Sequence, residues 1–269
     1  GFLAARFRAA GGAWLSLAGT AFQAERGIAA QLGVEDSDAR LWRYPHVSRT
    51  LAVLSVGTGE RRTPLGRGSL EAAFGHDRGR TEIDAYASRA YADRIAFEGG
   101  EDRGNTVRVQ GTHLIGPRGE LRAAFTHAEL RHDETLRTFP ADEATDGRFR
   151  YRQRLWSAGA ETLWQLIQDR DVDGPLGVRS LNLSAGGAWD VATTPQTGGR
   201  ERQDRLDEWG ARAGASLALG RGHLVLHAGA SRRGRFPALR ELYSGALSTF
   251  VPNPDLKPET LVALETGVT

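Results

Sequence analysis

Of 269 residues, 25% are charged and nearly balanced at a formal net charge of +2, while 40% are hydrophobic, a little below the usual globular share. Alanine and glycine supply much of that apolar content and Phe, Tyr and Trp reach only 8%, so a thick aliphatic and aromatic core is poorly provided for. Cysteine is absent, which excludes disulfides, Cys-bound zinc, iron–sulfur clusters and thiol catalysis together. No basic tail or stripe stands out, so nucleic acid is not a favoured partner.

Methionine is also absent, and the chain opens directly in a strand-like run from Phe2 to Arg8. Its natural start is expected to lie upstream, so the lack of a visible leader says nothing about export. The longest uncharged runs are about 15 residues and rich in Gly, Ala and Ser, too short and too polar for a membrane helix. If the chain crosses a bilayer, it crosses as strands.

Alternation with a period of two, the mark of a strand, predicts about eleven strands in chain order: near 2–10, 13–22, 46–57, 67–76, 104–115, 119–132, 149–166, 178–191, 208–219, 222–233 and 260–269. The clearest has Leu181, Leu183, Ala185, Gly187, Trp189 and Val191 on one face against Ser180, Asn182, Ser184, Gly186, Ala188 and Asp190. The next sets Trp209, Ala211, Ala213, Ala215, Leu217 and Leu219 against Gly210, Arg212, Gly214, Ser216 and Ala218. Strands of roughly nine to fourteen residues exceed the five or six usual in soluble sheets. They match the length a tilted strand needs to cross hydrocarbon.

The connections alternate strictly. Tight turns at Gly11-Gly12, Pro117-Arg118 and Gly220-Arg221 and medium ones at 58–66 and 167–177 are interleaved with long loops at 23–45, 77–103, 133–148, 192–207 and 234–259. An up-and-down membrane barrel has short periplasmic turns and long extracellular loops, whereas a soluble sandwich has no reason to keep that parity. Trp14, Trp156, Trp164, Trp189 and Trp209 near strand ends suit an interfacial girdle, or reflect only the liking of Trp for strands. Arg148, Arg150, Arg152 and Arg154 alternate with Phe149, Tyr151 and Gln153 and would line either a wet lumen or a solvated face.

No enzyme motif is present: no P-loop, GxGxxG, GxSxG or HExxH. His223 and His227, four apart on a strand, would stand about 13 Å apart, too far to share an ion. His127 and His132 fall on opposite faces of a regular strand. Asp142/Glu143 and Asp36/Asp38 lie in predicted loops, where carboxylates are usually solvated, and no spaced run of oxygens suggests calcium. No catalytic residue, metal site or cofactor is expected.

Two blocks near the end carry a family resemblance. Arg235-Phe236-Pro237-Ala238-Leu239-Arg240-Glu241-Leu242-Tyr243, followed by Asn253-Pro254-Asp255-Leu256-Lys257-Pro258-Glu259-Thr260, resembles the FR-P-x-L-R-E-L-Y and NP-x-LKPE passage of TonB-dependent outer-membrane receptors. Pro252, Pro254 and Pro258 deny backbone donors, so this stretch reads as a stiff extended loop. Arg40-Leu41-Trp42-Arg43-Tyr44-Pro45 is similar to a second, less specific stretch before an inbound strand in some of these receptors. The resemblance implies an all-β, antiparallel up-and-down transmembrane β-barrel, partial, with about 11 of an expected 22 strands. Residues 1–269 would be its middle part, with the plug domain, the TonB box and the barrel C-terminus not present.

The implied function is TonB-dependent uptake of a scarce nutrient, such as a ferric siderophore or a cobalamin-like ligand, across the Gram-negative cell outer membrane. Its partners would be outer-membrane lipid and TonB, energised by an ExbB/ExbD-type complex and acting through the plug. Alternatives are a passive or enzymatic outer-membrane barrel, porin-like, or a soluble structural β-sheet protein. Family-motif residues are Phe236, Pro237, Leu239, Glu241, Leu242, Tyr243, Asn253, Pro254, Leu256, Lys257, Pro258 and Glu259. Candidate ligand contacts are Trp42, Tyr44 and His46 on one loop and Arg240 and Tyr243 on another, because aromatic and cationic groups suit anionic catecholate chelates.

Overall fold

The computed structural model describes residues 1–269 except 31, 140–146, 169–173, 175, 221–223, 246 and 248–250. Among the described residues the chain is one antiparallel sheet of twelve strands: β1 (Phe2–Arg8), β2 (Trp14–Gly27), β3 (Trp42–Gly57), β4 (Arg61–Thr63), β5 (Gly66–Tyr86), β6 (Arg94–Ile115), β7 (Gly119–Thr138), β8 (Gly147–Ile167), β9 (Val178–Thr197), β10 (Leu206–Leu219), β11 (Leu224–Arg235) and β12 (Glu259–Val268). Each main strand pairs with the next in sequence, from β1 through to β12, and β4 lies off this path against β5. One short helix, α1 (Leu239–Tyr243), sits between β11 and β12.

All eleven predicted strands are present, and β4 is a small addition inside the predicted turn 58–66. The loops differ more. The predicted loop 77–103 is mostly strand, because β5 runs on to Tyr86 and β6 begins at Arg94. The predicted loop 23–45 is similarly trimmed by β2 and β3. Here both faces carry charge, as in Asp77-Arg78 and Glu101-Asp102-Arg103, so the apolar alternation ends while the backbone ladder continues. The loop carboxylates Asp142 and Glu143, and His223 with the start of the strand predicted at 222, lie outside the described residues.

Register separates the faces cleanly. On β9 and β10 the outward row pairs Trp209 with Trp189, Ala213 with Ala185 and Leu217 with Leu181. From Trp189 to Leu181 is eight residue steps, about 27 Å of strand, comparable with the apolar band of a barrel wall. Leu15, Leu17, Leu54, Phe74, Val107 and Phe125 continue this exposed apolar face on β2 to β7. Trp189 and Trp209 are register partners exposed on it, and Trp156, the partner of Val191 two residues further along, is exposed beside them, as a girdle requires. Trp14 is not part of that girdle: it faces the other way, stacked under the Arg6 guanidinium at 4.1 Å. It covers Gly57, where a Cβ would come within 2.3 Å of the indole nitrogen.

At the opposite end from the girdle the turn between β1 and β2 is tight. Gly11 and Gly12 both hold positive φ, +84° and +85°, a conformation that only glycine adopts without strain.

Candidate functional site

A cluster of buried side chains lies high on the inner face, where α1 docks on β8. Leu239, Leu242 and Tyr243 of α1 form a buried cluster with Tyr151, flanked by Leu130 and Phe149. The Tyr151 and Tyr243 rings stack at 5.8 Å with 10° between planes, and Tyr151 donates its hydroxyl proton to the Tyr243 carbonyl at 3.4 Å. Gln153 donates from Nε2 to the Pro237 carbonyl at 3.1 Å. Phe149, Tyr151 and Gln153 thus face inward and Arg148, Arg150, Arg152 and Arg154 take the outer wall, where Arg150 meets Asp133 and Arg152 and Arg154 meet Glu129. Of the two places open to this arginine run, the wet lumen is excluded.

The two motif blocks are tied to each other. Arg235 reaches Glu241 at 2.8 Å and Glu259 at 2.9 Å. The Glu241 carboxylate also accepts from the Ala238 backbone N–H at 2.7 Å. With Arg235 first and this N–H second, the Glu241 carboxyl is held below its ordinary range. Gln203 donates from Nε2 to the carbonyls of Pro254 and Leu256 at 3.0 and 2.8 Å, and its backbone N–H donates to the Tyr243 hydroxyl at 3.3 Å. Asn253 closes a local turn by accepting from the Asp255 N–H at 3.0 Å. The prolines leave carbonyls free of a ladder, and Gln203 satisfies them.

Beneath α1 lies a buried acidic patch. Glu98 on β6 and Glu134 on β7 have side chains 2% and 1% exposed, and His132 stands between Asp102, at 2.7 Å from Nδ1, and Glu134, at 3.6 Å from Nε2. Neither Glu134 oxygen has a hydrogen-bond partner among the described residues. Arg240 supplies a cation from the loop, 2.5 Å from Glu98.

The remaining side of the loop faces a cleft of about 590 Å³ lined by Arg26, Arg40, Trp42, Tyr44, Thr81 and Ile83 on the wall and by Arg240, Glu241, Ser244 and Val251 on the loop. Arg26 stacks over Tyr44 at 4.2 Å and Arg40 approaches Trp42 at 5.7 Å, contacts that hold cations against aromatic faces. Of the five candidate ligand contacts, Trp42, Tyr44 and Arg240 come together here. The other two are placed elsewhere. His46 pairs with outward-facing Glu82 because the register shifts between Arg43 and His46, and it shares a hydrogen bond with Ser48 at 2.9 Å. Tyr243 is fully buried in the α1 cluster. Trp42, Tyr44 and His46 are strand residues at the start of β3. Arg26, Gln203 and Glu98 carried no sequence signal, since each is brought in by contacts across many residues, and Tyr151 was visible only as a member of the alternation beside the arginine run.

Three comparisons bear on this arrangement. A search of curated proteins gave no match. Among solved structures the chain resembles the copper transporter OprC, with a TM-score of 0.66 and 14% identity over 95% of this chain and 46% of that one. At that identity the likeness concerns the fold alone, and the chain spans about half the length of that relative. The family described as TonB dependent receptor-like, beta-barrel matches residues 7–269. Strand order, face chemistry and this match agree that the chain belongs to the β-barrel domain of the TonB-dependent receptors, a family of the Gram-negative outer membrane.

Proposed function

We propose that the chain forms part of the wall of a receptor that imports a scarce nutrient with energy delivered by TonB and an ExbB/ExbD-type complex, and that the cargo is a ferric siderophore. The cleft under the α1 loop carries this reading. Three guanidinium groups, Arg26, Arg40 and Arg240, and two aromatic faces, Trp42 and Tyr44, converge on one cavity. An anionic chelate with flat aromatic arms is met there by charge and by stacking at once. Tyr243 serves this site indirectly by seating α1, and His46 would not touch the cargo. Conversion of the cargo would need no residue here, since transport moves it unchanged.

The test uses the full-length receptor in cells lacking other uptake routes, supplied with iron either as a catecholate chelate or as a neutral chelate, and separately with free copper ions. Expected are uptake of the catecholate complex and a loss of about tenfold in apparent affinity for Arg26→Ala combined with Arg240→Ala, at about 0.5–1 kcal/mol or more per lost cation contact. Uptake of copper in place of the chelate, unaffected by both substitutions, would replace this cargo with a metal ion.

A further inference from the structure

The buried acids beneath α1 are linked to the cleft by one side chain. Arg240 lines the cleft and reaches Glu98 Oε1 at 2.5 Å, so a single guanidinium serves an open cavity and a buried carboxylate at once. Glu98 and Glu134 lie diagonally across β6 and β7, since Gly100 is the partner of Glu134 and Leu136 the partner of Glu98, a backbone spacing of about 7–8 Å that long side chains bridge. Glu134 stands seven residues beyond His127, the partner of Trp156 in the girdle, about 24 Å further along the strand and clear of the hydrocarbon. Glu98 Oε2 and both Glu134 oxygens have no hydrogen-bond partner among the described residues.

Cations are scarce around this pair. Facing it are His132 of β7, Asp102 of β6, Arg240 and the Leu247 backbone N–H of the loop, and Tyr151 of β8 with Tyr243 and Arg200 behind it. Burial opposes charge on His132, but its hydrogen bond to Asp102 and the Glu134 carboxylate beside it push it up to about 9. His132 is therefore already a cation at neutral pH and takes no further proton. Burial pushes the Tyr151 phenol up to about 12, so it gives none away. Burial also pushes the Glu98 carboxyl above its ordinary range and Glu134 adds to the rise, while Arg240 is the strongest influence holding it down. With Arg240 in place, two cations stand against the carboxylates of Glu98, Glu134 and Asp102. Without it His132 alone is left, and two carboxylates in one buried site do not both stay ionised.

We infer that the Glu98–Glu134 pair is a proton acceptor coupled to the cleft: an anionic cargo that draws Arg240 off Glu98 leaves the pair to take one proton from the medium, so that capture strengthens as the medium acidifies. This coupling rests on the cleft's role as the site of an anionic chelate. The proton comes from water and ends on a carboxylate oxygen, and no other bond changes. A cargo-bound state that holds more protons than the free state gains affinity as pH falls. The two carboxylates titrate as a unit, so the proton belongs to the pair.

The experiment measures binding of a ferric catecholate chelate to the full-length receptor in micelles by titration calorimetry, in pairs of buffers with different heats of ionisation, which counts the protons exchanged. Expected at about pH 6.5 is uptake of about 0.5–1 proton per bound chelate, with affinity about threefold higher than at about pH 7.5. Glu98→Gln should abolish the uptake and, by releasing Arg240 from a charge-assisted bond, bind the chelate about threefold tighter at about pH 7.5. Glu134→Gln should keep the uptake but move it to lower pH. Without cargo, R240A should show at neutral pH the infrared carbonyl band of a protonated carboxyl, and R240A/E98Q should lack it. Binding without proton uptake, uptake unchanged in both E98Q and E134Q, weaker binding by E98Q, or no such band in folded R240A would each overturn the coupling. No binding of the chelate at any pH would instead fail the cargo assigned to the cleft, and the coupling with it.

Discussion

Arg240 and Glu98 stand 142 positions apart in sequence and 2.5 Å apart in space. This contact joins the α1 loop to β6 across the inner face and sets a cation over the buried carboxylates of Glu98 and Glu134. It also fixes where the arginine lining the cleft can point.

Removing the cation while leaving the carboxylate should therefore be worse than removing both. Arg240→Ala is expected to cost the full-length receptor about 2 kcal/mol, the scale for a buried charged group left without its partner. Adding Glu98→Gln should recover much of that. Denaturant unfolding of the single and double variants forms the cycle, and strictly additive losses would show that the two residues are not coupled.

The α1 loop should loosen only in strong acid. Glu241 has its carboxyl lowered chiefly by Arg235 and then by the Ala238 N–H. A group with a depressed folded value contributes stability that is complete above its unfolded value, about 4.5, and is lost as pH falls through the lower folded value. Both Glu241 and Arg235 are substantially exposed, so solvent screens the effect. Limited proteolysis of the loop should be flat from pH 8 to about 5 and rise below that, with Glu241→Gln cleaved faster at neutral pH and less sensitive to acid. A cleavage rate rising between pH 7 and 6 would point to a different group.

The assignment of faces predicts opposite outcomes for neighbours in sequence. Leu183→Arg or Ala213→Arg puts a charge in the lipid-facing band and should lower barrel stability by about 2–4 kcal/mol near the midplane. Ser184→Arg or Ser216→Arg points into the lumen and should be tolerated. Unfolding in lipid vesicles checks this, and the reverse ranking would mean that the two faces were exchanged.

Orientation can be read on intact cells. A cysteine at Ser88, in the short loop left between β5 and β6, should react with an impermeant thiol reagent, and one at Pro117, in the turn between β6 and β7, should not. Labelling at Pro117 alone would invert the barrel.

The parity of side chains was legible in the sequence wherever one face met lipid, because burial in hydrocarbon writes a period of two that hydration cannot imitate. Leu181 to Val191 and Trp209 to Leu219 are such stretches. Legibility failed above the membrane, where Asp77 to Tyr86 and Arg94 to Arg103 are strands with charge on both faces and no apolar rhythm. It failed also at the bulge near Tyr44, since a register shift is set by the partner strand and turns His46 to the other side. The motif Phe236–Tyr243 was visible as a loop, yet its short helix depends on Tyr151 and Gln153 receiving it.

By itself the sequence determined the number of long strands, the alternation of short and long connections and the lipid-facing band, all of which arise from local periodicity and turn chemistry. Only the tertiary structure decided which arginines share the cleft, which stand on the outer wall and which carboxylates lie buried under α1. Those groups meet through hydrogen-bonded strand register and through the seating of α1, which brings Arg240 to Glu98 142 positions away, and no local pattern encodes a register that the neighbouring strand supplies.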